Sequence, residues 1–158
     1  MAKTISREIP LAEITLRKYE KPSSLEGRDL SRKLCLSLGL LQPGDSRDVI
    51  VDVFHVLAKS NENLTSKEIE KKVIEERKHR KLSMLGIAPS NIRRQLKRLK
   101  DLMLIEKKLN AYRLSEDAKL EEIFTERIEK FIIPSINSRI KEYLRKMDEL
   151  RKTDNEND

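Results

Sequence analysis

Cysteine, histidine and tryptophan are scarce in this sequence of 158 residues, which has one, two and none of them respectively. A single cysteine, Cys35, excludes a disulfide framework, and the two distant histidines lack the spacing of a zinc site or of a base beside a thiol nucleophile. No stretch approaches the roughly 20 apolar residues that span a bilayer, and charges rather than an apolar signal core follow Met1. We therefore expect a cytoplasmic protein with no metal, no cofactor and no membrane contact.

Motifs typical of enzymes are also missing. The sequence has no Gly-rich phosphate-binding loop, and adjacent acids such as Glu75 and Glu76 lie on predicted solvated helix faces. We therefore do not expect an enzyme. Glutamine occurs only twice while Lys, Glu, Arg and Ile are abundant, a bias that is typical of proteins from hyperthermophiles.

Charge, by contrast, is abundant and unevenly distributed. Lys and Arg number 34 against 27 Asp and Glu, for a formal net charge of +7. Between Asn63 and Arg113 the chain has 15 basic and 6 acidic residues, a net charge of +9, so the remainder is slightly acidic. A local surplus of this kind is typical of a surface that binds phosphates, and a solvated basic face is the alternative. The run at 77–81 fits either phosphate contact or stabilisation of a helix dipole.

Apolar periodicity predicts a mainly α fold with a small β-hairpin. The predicted elements are helices at 24–38, 46–59, 66–79 and 89–103, strands near 104–108 and 111–115, and further helix over 116–152 with a kink or break at Pro134. Thr65 and Glu68 have the spacing of a capping box, which places a helix start at Ser66. Leu109 disfavours positive φ, so the hairpin turn is expected to exceed two residues. Residues 9–19 fit a short strand or a short helix, and residues 153–158 are predicted to be disordered.

The order of three helices followed by a hairpin is that of a winged helix-turn-helix. The segment from Asn91 to Lys107, NIRRQLKRLKDLMLIEK, resembles the recognition helix and wing of bacterial and archaeal transcriptional regulators of the MarR and ArsR kind. Met103 stands where such families usually have Gly before the wing. The resemblance implies a winged-helix DNA-binding domain at 45–115, after an N-terminal extension with one helix (1–44) and before the C-terminal helices (116–152).

The predicted recognition helix, 89–103, is amphipathic, because its basic residues lie opposite a narrow apolar stripe. Such a helix can pack by its stripe and present its charged face to the major groove, where Arg suits guanine and Asn suits adenine. The candidates for base contact are Ser90, Asn91, Arg94 and Lys97. The candidates for phosphate contact are Arg93, Arg98 and Lys100 on the helix, with Lys107, Lys108 and Arg113 on the hairpin 104–115 as wing.

The C-terminal helix carries apolar residues at alternating spacings of 4 and 3, the seam of a short coiled coil. The candidate dimerisation residues are Phe131, Ile136, Ile140, Tyr143, Met147 and Leu150. Because a two-fold partner matches palindromic operators, the expected function is a homodimeric, sequence-specific regulator of transcription that binds double-stranded DNA. The alternative is a winged-helix adaptor that binds a protein, or an architectural DNA-binding protein, within the transcription, replication or chromosome machinery.

Overall fold

The computed structural model describes residues 7–157 and confirms a mainly helical fold with a small antiparallel hairpin. The helices are α1 (Gly27–Ser37), α2 (Val49–Lys59), α3 (Ser66–His79), α4 (Pro89–Asp101), α5 (Leu120–Ile123) and α6 (Ile133–Asn157), with a π-helical segment (Phe124–Ile132) between the last two. The strands are β1 (Ile105–Lys108) and β2 (Ala111–Leu114), and 3-10 turns lie at Pro22–Ser24 and Ser115–Asp117. In the described part of the chain, none of the helices combines the length and apolarity that a membrane span needs.

Helix α2 is the centre of the hydrophobic core. Its residues from Val49 to Leu57 are all buried, because α1, α3, α4 and β2 pack around it. A helix that is apolar on nearly every side is stable only when it is surrounded in this way. The helix begins at Val49, three residues later than predicted, and the Asp48 side chain at its N-cap position binds arginines and makes no capping hydrogen bond.

The four-residue spacing of Leu30, Leu34 and Leu38 predicts the core-facing side of α1, and the structure confirms it only for the last two. Helix α1 begins at Gly27 instead of Ser24, and Leu30 is 42% exposed, whereas Arg28 and Cys35 are buried. Arg28 takes the core-facing position because two carboxylates on and before α2 accept its hydrogen bonds. The helix ends before Gly39 as predicted, where φ is +71° and a Cβ would lie 2.6 Å from Thr15.

The segment 9–19, for which strand and helix were both open, forms neither. Its backbone lies against the C-terminal end of α1, where the Arg17 N–H donates to the Ser37 carbonyl over 2.9 Å. The Arg17 guanidinium also donates to the Leu36 carbonyl. These bonds satisfy polar groups at a helix end that has no further helical partners.

The start of α3 is as predicted. Thr65 accepts a hydrogen bond from the Glu68 N–H, and the Glu68 carboxylate accepts one from the Thr65 N–H, which completes the capping box. Immediately before it, Leu64 exchanges two backbone hydrogen bonds with Tyr112, of 3.0 and 2.7 Å. This bridge ties β2 to the helical core.

Helix α4 ends at Asp101, two residues earlier than predicted, and Met103 adopts a φ of +64°. The residue at which the resemblance to winged-helix regulators predicts Gly therefore takes the left-handed conformation, although it is a methionine. The expectation of a longer hairpin turn is wrong. Lys108 pairs with Ala111, so only Leu109 and Asn110 remain for the turn, and both adopt positive φ.

The chain from α5 to α6 is one continuous helical rod, so of the kink or break predicted at Pro134 the break is absent. The backbone angles at Phe124 and Ile133 are helical. The Ile133 N–H bonds to the Ile128 carbonyl, so the hydrogen-bond ladder widens just before the proline, which has no N–H to contribute. The disorder predicted for 153–158 is wrong for 153–157, which continue α6. Thr153 Oγ1 donates to the Glu149 carbonyl there, and Asp158 lies outside the described residues.

Candidate nucleic-acid interface

Helix α4 buries one stripe and exposes the opposite, basic face. The buried residues are Ile92, Leu96 and Leu99. The exposed basic residues are Arg93, Arg94, Lys97 and Lys100, and Ser90 is exposed in the first turn. Lys97 pairs with Asp101 at 2.9 Å, but both side chains are largely exposed, and such a pair contributes only about 0 to 1 kcal/mol. Among the described residues the other three basic side chains have no ion-pair partner, so this face can receive an external anion.

Two predicted DNA contacts on α4 are instead held by internal hydrogen bonds. Asn91 Nδ2 donates to the Gly86 carbonyl over 2.6 Å, and Asn91 Oδ1 accepts from Gln95 over 3.0 Å. The Arg98 guanidinium donates to Gln95 Oε1 and, over 2.7 Å, to the Leu40 carbonyl. These bonds attach α4 to the loop before it and to the loop after α1. Asn91 and Arg98 therefore orient the helix.

A groove beside α4 adds a basic residue that sequence analysis missed. Arg47 is exposed in the loop before α2 and lines this groove together with Arg94 and Arg98, and Asp45 contributes one carboxylate. Arg47 lies outside the basic segment at 63–113, and its own neighbours in sequence give no signal. Only the packing of α2 against α4 brings it to this surface.

The basic residues of the hairpin differ in exposure and in hydrogen bonding. Its exposed basic residues are Lys107 and Lys108. The Lys107 ammonium lies 5.6 Å from the centre of the Tyr112 ring, within cation–π range. Arg113 is half-buried and donates to Glu106 over 2.8 Å, and the Glu116 N–H donates to the same carboxylate. Burial alone would raise the pKa of Glu106, but these hydrogen bonds hold it below its ordinary value. Arg113 thus secures the base of the hairpin.

A buried ionic cluster lies under the loop that leads into α4. Asp52 accepts hydrogen bonds from Arg28 at 2.9 Å and from Arg77 at 2.6 Å, and Asp48 accepts from the same two arginines at 2.9 and 3.0 Å. Burial alone would raise the pKa of Asp48, but the hydrogen bonds from both guanidinium groups hold it below its ordinary value. Arg32, which is half-buried, also donates to Asp48 over 2.8 Å. Three positive charges therefore surround the two carboxylates, which offsets most of the cost of burying them.

Arg77 connects this cluster to the loop at 80–88. Its Nε donates to the Ser83 carbonyl over 2.7 Å, and the residue is 1% exposed. The sequence interpretation, which placed Arg77 in a run for phosphate contact or dipole stabilisation, missed this buried role. The available signal was the pair Asp48 and Asp52, because two acids beside an apolar helix require cationic partners once they are buried.

Two further titratable side chains, His55 and Cys35, are buried in the core. His55 Nδ1 lies 2.7 Å from Ser31 Oγ, and burial lowers the pKa of the imidazole. Burial raises the pKa of the Cys35 thiol to about 12, so the reactive thiolate is not populated near neutral pH. Over residues 7–157, no three His, Cys, Asp or Glu side chains converge as metal ligands would.

The apolar residues assigned to dimerisation lie on the C-terminal rod. Phe131, Ile140, Tyr143, Met147 and Leu150 are 50 to 70% exposed, and Ile136 is half-buried. Leu144, at 56%, widens the same stripe. Single exposed leucines are ordinary, but a continuous stripe of this kind marks an interaction surface.

Comparison of the chain with protein-family models, curated proteins and solved structures gives no match. The functional interpretation therefore depends on the geometry described above.

Proposed function

We propose that residues 45–115 form a winged helix-turn-helix domain with α4 as recognition helix and the β1–β2 hairpin as wing. The order of α2, α3, α4, β1 and β2 supports this assignment. So does the left-handed Met103 at the entry to the hairpin, and so does the Leu64–Tyr112 bridge that fastens the hairpin to the helices.

The domain binds double-stranded DNA in this proposal, and the observation that carries it is the exposed basic face of α4. A helix fits the major groove, which is about 12 Å wide. Ser90, Arg94 and Lys97 then reach base edges, while Arg93, Lys100 and the adjacent Arg47 meet phosphates. Lys107 and Lys108 add a backbone or minor-groove contact. Asn91, Arg98 and Arg113 act through their internal bonds, as positioning residues.

Two copies joined through the C-terminal rod would present two recognition helices to a palindromic site. The proposed function is therefore that of a homodimeric, sequence-specific regulator of transcription. The second candidate is a winged-helix adaptor that binds another protein, or an architectural DNA-binding protein. The observation that favours an adaptor is the exposed apolar stripe of α6, which suits a protein partner as well as a second copy.

The test is selection of duplexes from a random library at about 150 mM salt, followed by titration of the enriched duplex against a scrambled one. A sequence-specific regulator should enrich a palindrome and bind it at least about 10³-fold more tightly than the scrambled duplex. No enrichment, with weak binding that added salt abolishes, would instead favour the adaptor or architectural function.

Two double variants, each of which removes two positive charges, test whether the DNA interface lies on α4. Arg94→Ala with Lys97→Ala should abolish the preference for the enriched duplex, because both proposed base contacts are removed. Arg145→Ala with Lys152→Ala removes two exposed charges from the polar side of α6 and should leave that preference intact.

A further inference from the structure

Helix α6 leaves the body of the protein with its apolar stripe uncovered. Every residue from 137 to 155 is exposed. This stretch is roughly 28 Å long at 1.5 Å per residue. A continuous exposed apolar stripe of this length is the kind of surface that binds a partner. Given the proposed homodimer, on which this inference rests, that partner is α6 of a second copy.

The stripe can pair with itself in either direction. Its six apolar residues are Ile133, Ile136, Ile140, Tyr143, Met147 and Leu150. Their spacings of 3, 4, 3, 4 and 3 read the same in both directions, so antiparallel pairing also gives six apolar layers. In that arrangement Ile136 opposes Met147 and Ile140 opposes Tyr143. Parallel pairing in register opposes each residue with its own copy.

The two halves of α6 differ in what lies beside them. The N-terminal segment at residues 7–12, which we call the arm, borders the first half of α6 and forms a groove whose floor includes Ile136, Ile140 and Tyr143. Two apolar arm residues remain open to solvent there, Ile9 at 63% and Leu11 at 94% exposure. The arm does not line the second half of α6, which carries Met147 and Leu150.

We propose that two copies pair through α6 in antiparallel orientation, and that the second half of each α6 lies in the groove between the arm and α6 of its partner. In the antiparallel orientation, the first half of each α6, which has the arm beside it, faces the second half of the partner's α6, which has no arm beside it. The partner helix then covers Ile9 and Leu11. In the parallel orientation, both arms would lie beside the same end of the helix pair, and the second halves of both helices would have no arm beside them.

Disulfide trapping distinguishes the two directions, with little background because Cys35 is buried and its thiol is protonated. Ile136→Cys and Met147→Cys are prepared as separate proteins and tested alone and after mixing under chain exchange. Antiparallel pairing predicts a covalent dimer in the mixture and none in either protein alone. A covalent dimer of Met147→Cys alone would overturn the direction while leaving the homodimer intact.

A second variant tests the arm without altering the core. Leu11→Asp should raise the dimer dissociation constant at least tenfold by sedimentation, because it places a charge against the partner helix. Ser138→Asp introduces the same charge on the opposite, polar side of α6 and should leave the constant unchanged. Equal constants for both variants would overturn the role of the arm. A protein that is monomeric at all concentrations would overturn the homodimer, whereas the DNA-binding proposal is decided separately by duplex selection.

Discussion

Arginine has opposite environments in two neighbouring regions of this molecule. Arg28 and Arg77 are at most 7% exposed and each binds two carboxylates, whereas Arg93 and Arg94 are exposed on α4. The difference is not visible in the residue type or in the local density of charge. It follows from the position of Asp48 and Asp52 beside the core, because buried carboxylates recruit whichever guanidinium groups the fold brings within reach.

The two regions are also mechanically connected. Arg77 holds the loop at 80–88 through the Ser83 carbonyl, and Asn91 holds its other end through the Gly86 carbonyl. Gly86 has a φ of +87° and lies close to Val49 of α2, so the loop has little freedom. The buried arginines thus fix the orientation of the helix that carries the exposed ones.

Removing a carboxylate from the buried cluster is expected to have the largest effect. Asp52→Ala leaves Arg28 and Arg77 with an uncompensated buried charge, which should lower the free energy of unfolding by about 3 to 5 kcal/mol. Urea denaturation measures this loss. Asp101→Ala, which breaks only the exposed pair with Lys97, should cost less than about 1 kcal/mol. Equal losses of unfolding free energy in the two variants would contradict the difference between the buried cluster and the exposed face of α4.

The buried cluster should also make stability depend on pH in the acid range. The pKa of Asp48 lies below its unfolded value of 3.8, so its contribution is complete above that pH and is lost as the pH falls through the folded pKa. The free energy of unfolding should therefore decline below about pH 4. Thermal unfolding of Asp48→Asn beside the parent protein checks this. The gap between the two should narrow on acidification, and a constant gap would contradict the assignment.

The sequence predicted those parts of the fold that depend on local signals. The capping box at Thr65 and Glu68 set the start of α3, and the apolar stripe of α4 set the face it buries. The buried face of α1 was not predictable in this way, because Arg28 is stable in the core only after α2 supplies its carboxylates. Arg47 was missed for the same reason. Both depend on contacts between segments about 20 or more residues apart.

The exposed and the tethered arginine of α4 should respond differently to truncation. Arg94→Ala should cost about 1 to 3 kcal/mol of binding on an enriched duplex and relax its selectivity, with no change in stability. Arg98→Ala removes the bond to the Leu40 carbonyl, so it should lower the melting temperature as well. Fluorescence titration and thermal unfolding of both variants measure the two effects. Equal losses that do not depend on DNA sequence would contradict the base contact assigned to Arg94.

The smallest effect is expected at the wing, where Lys107 is exposed and its ammonium lies 5.6 Å from the centre of the Tyr112 ring. Lys107→Ala should weaken all duplexes about equally and reduce the slope of log affinity against log salt by about 1, because one phosphate contact is lost. Lys152→Ala, which removes an exposed charge near the C-terminal end of α6, serves as the control and should leave the slope unchanged. Titrations at several salt concentrations on enriched and scrambled duplexes measure the slopes. A loss confined to the enriched duplex would show that the wing reads sequence, and α4 would then not be the sole source of selectivity.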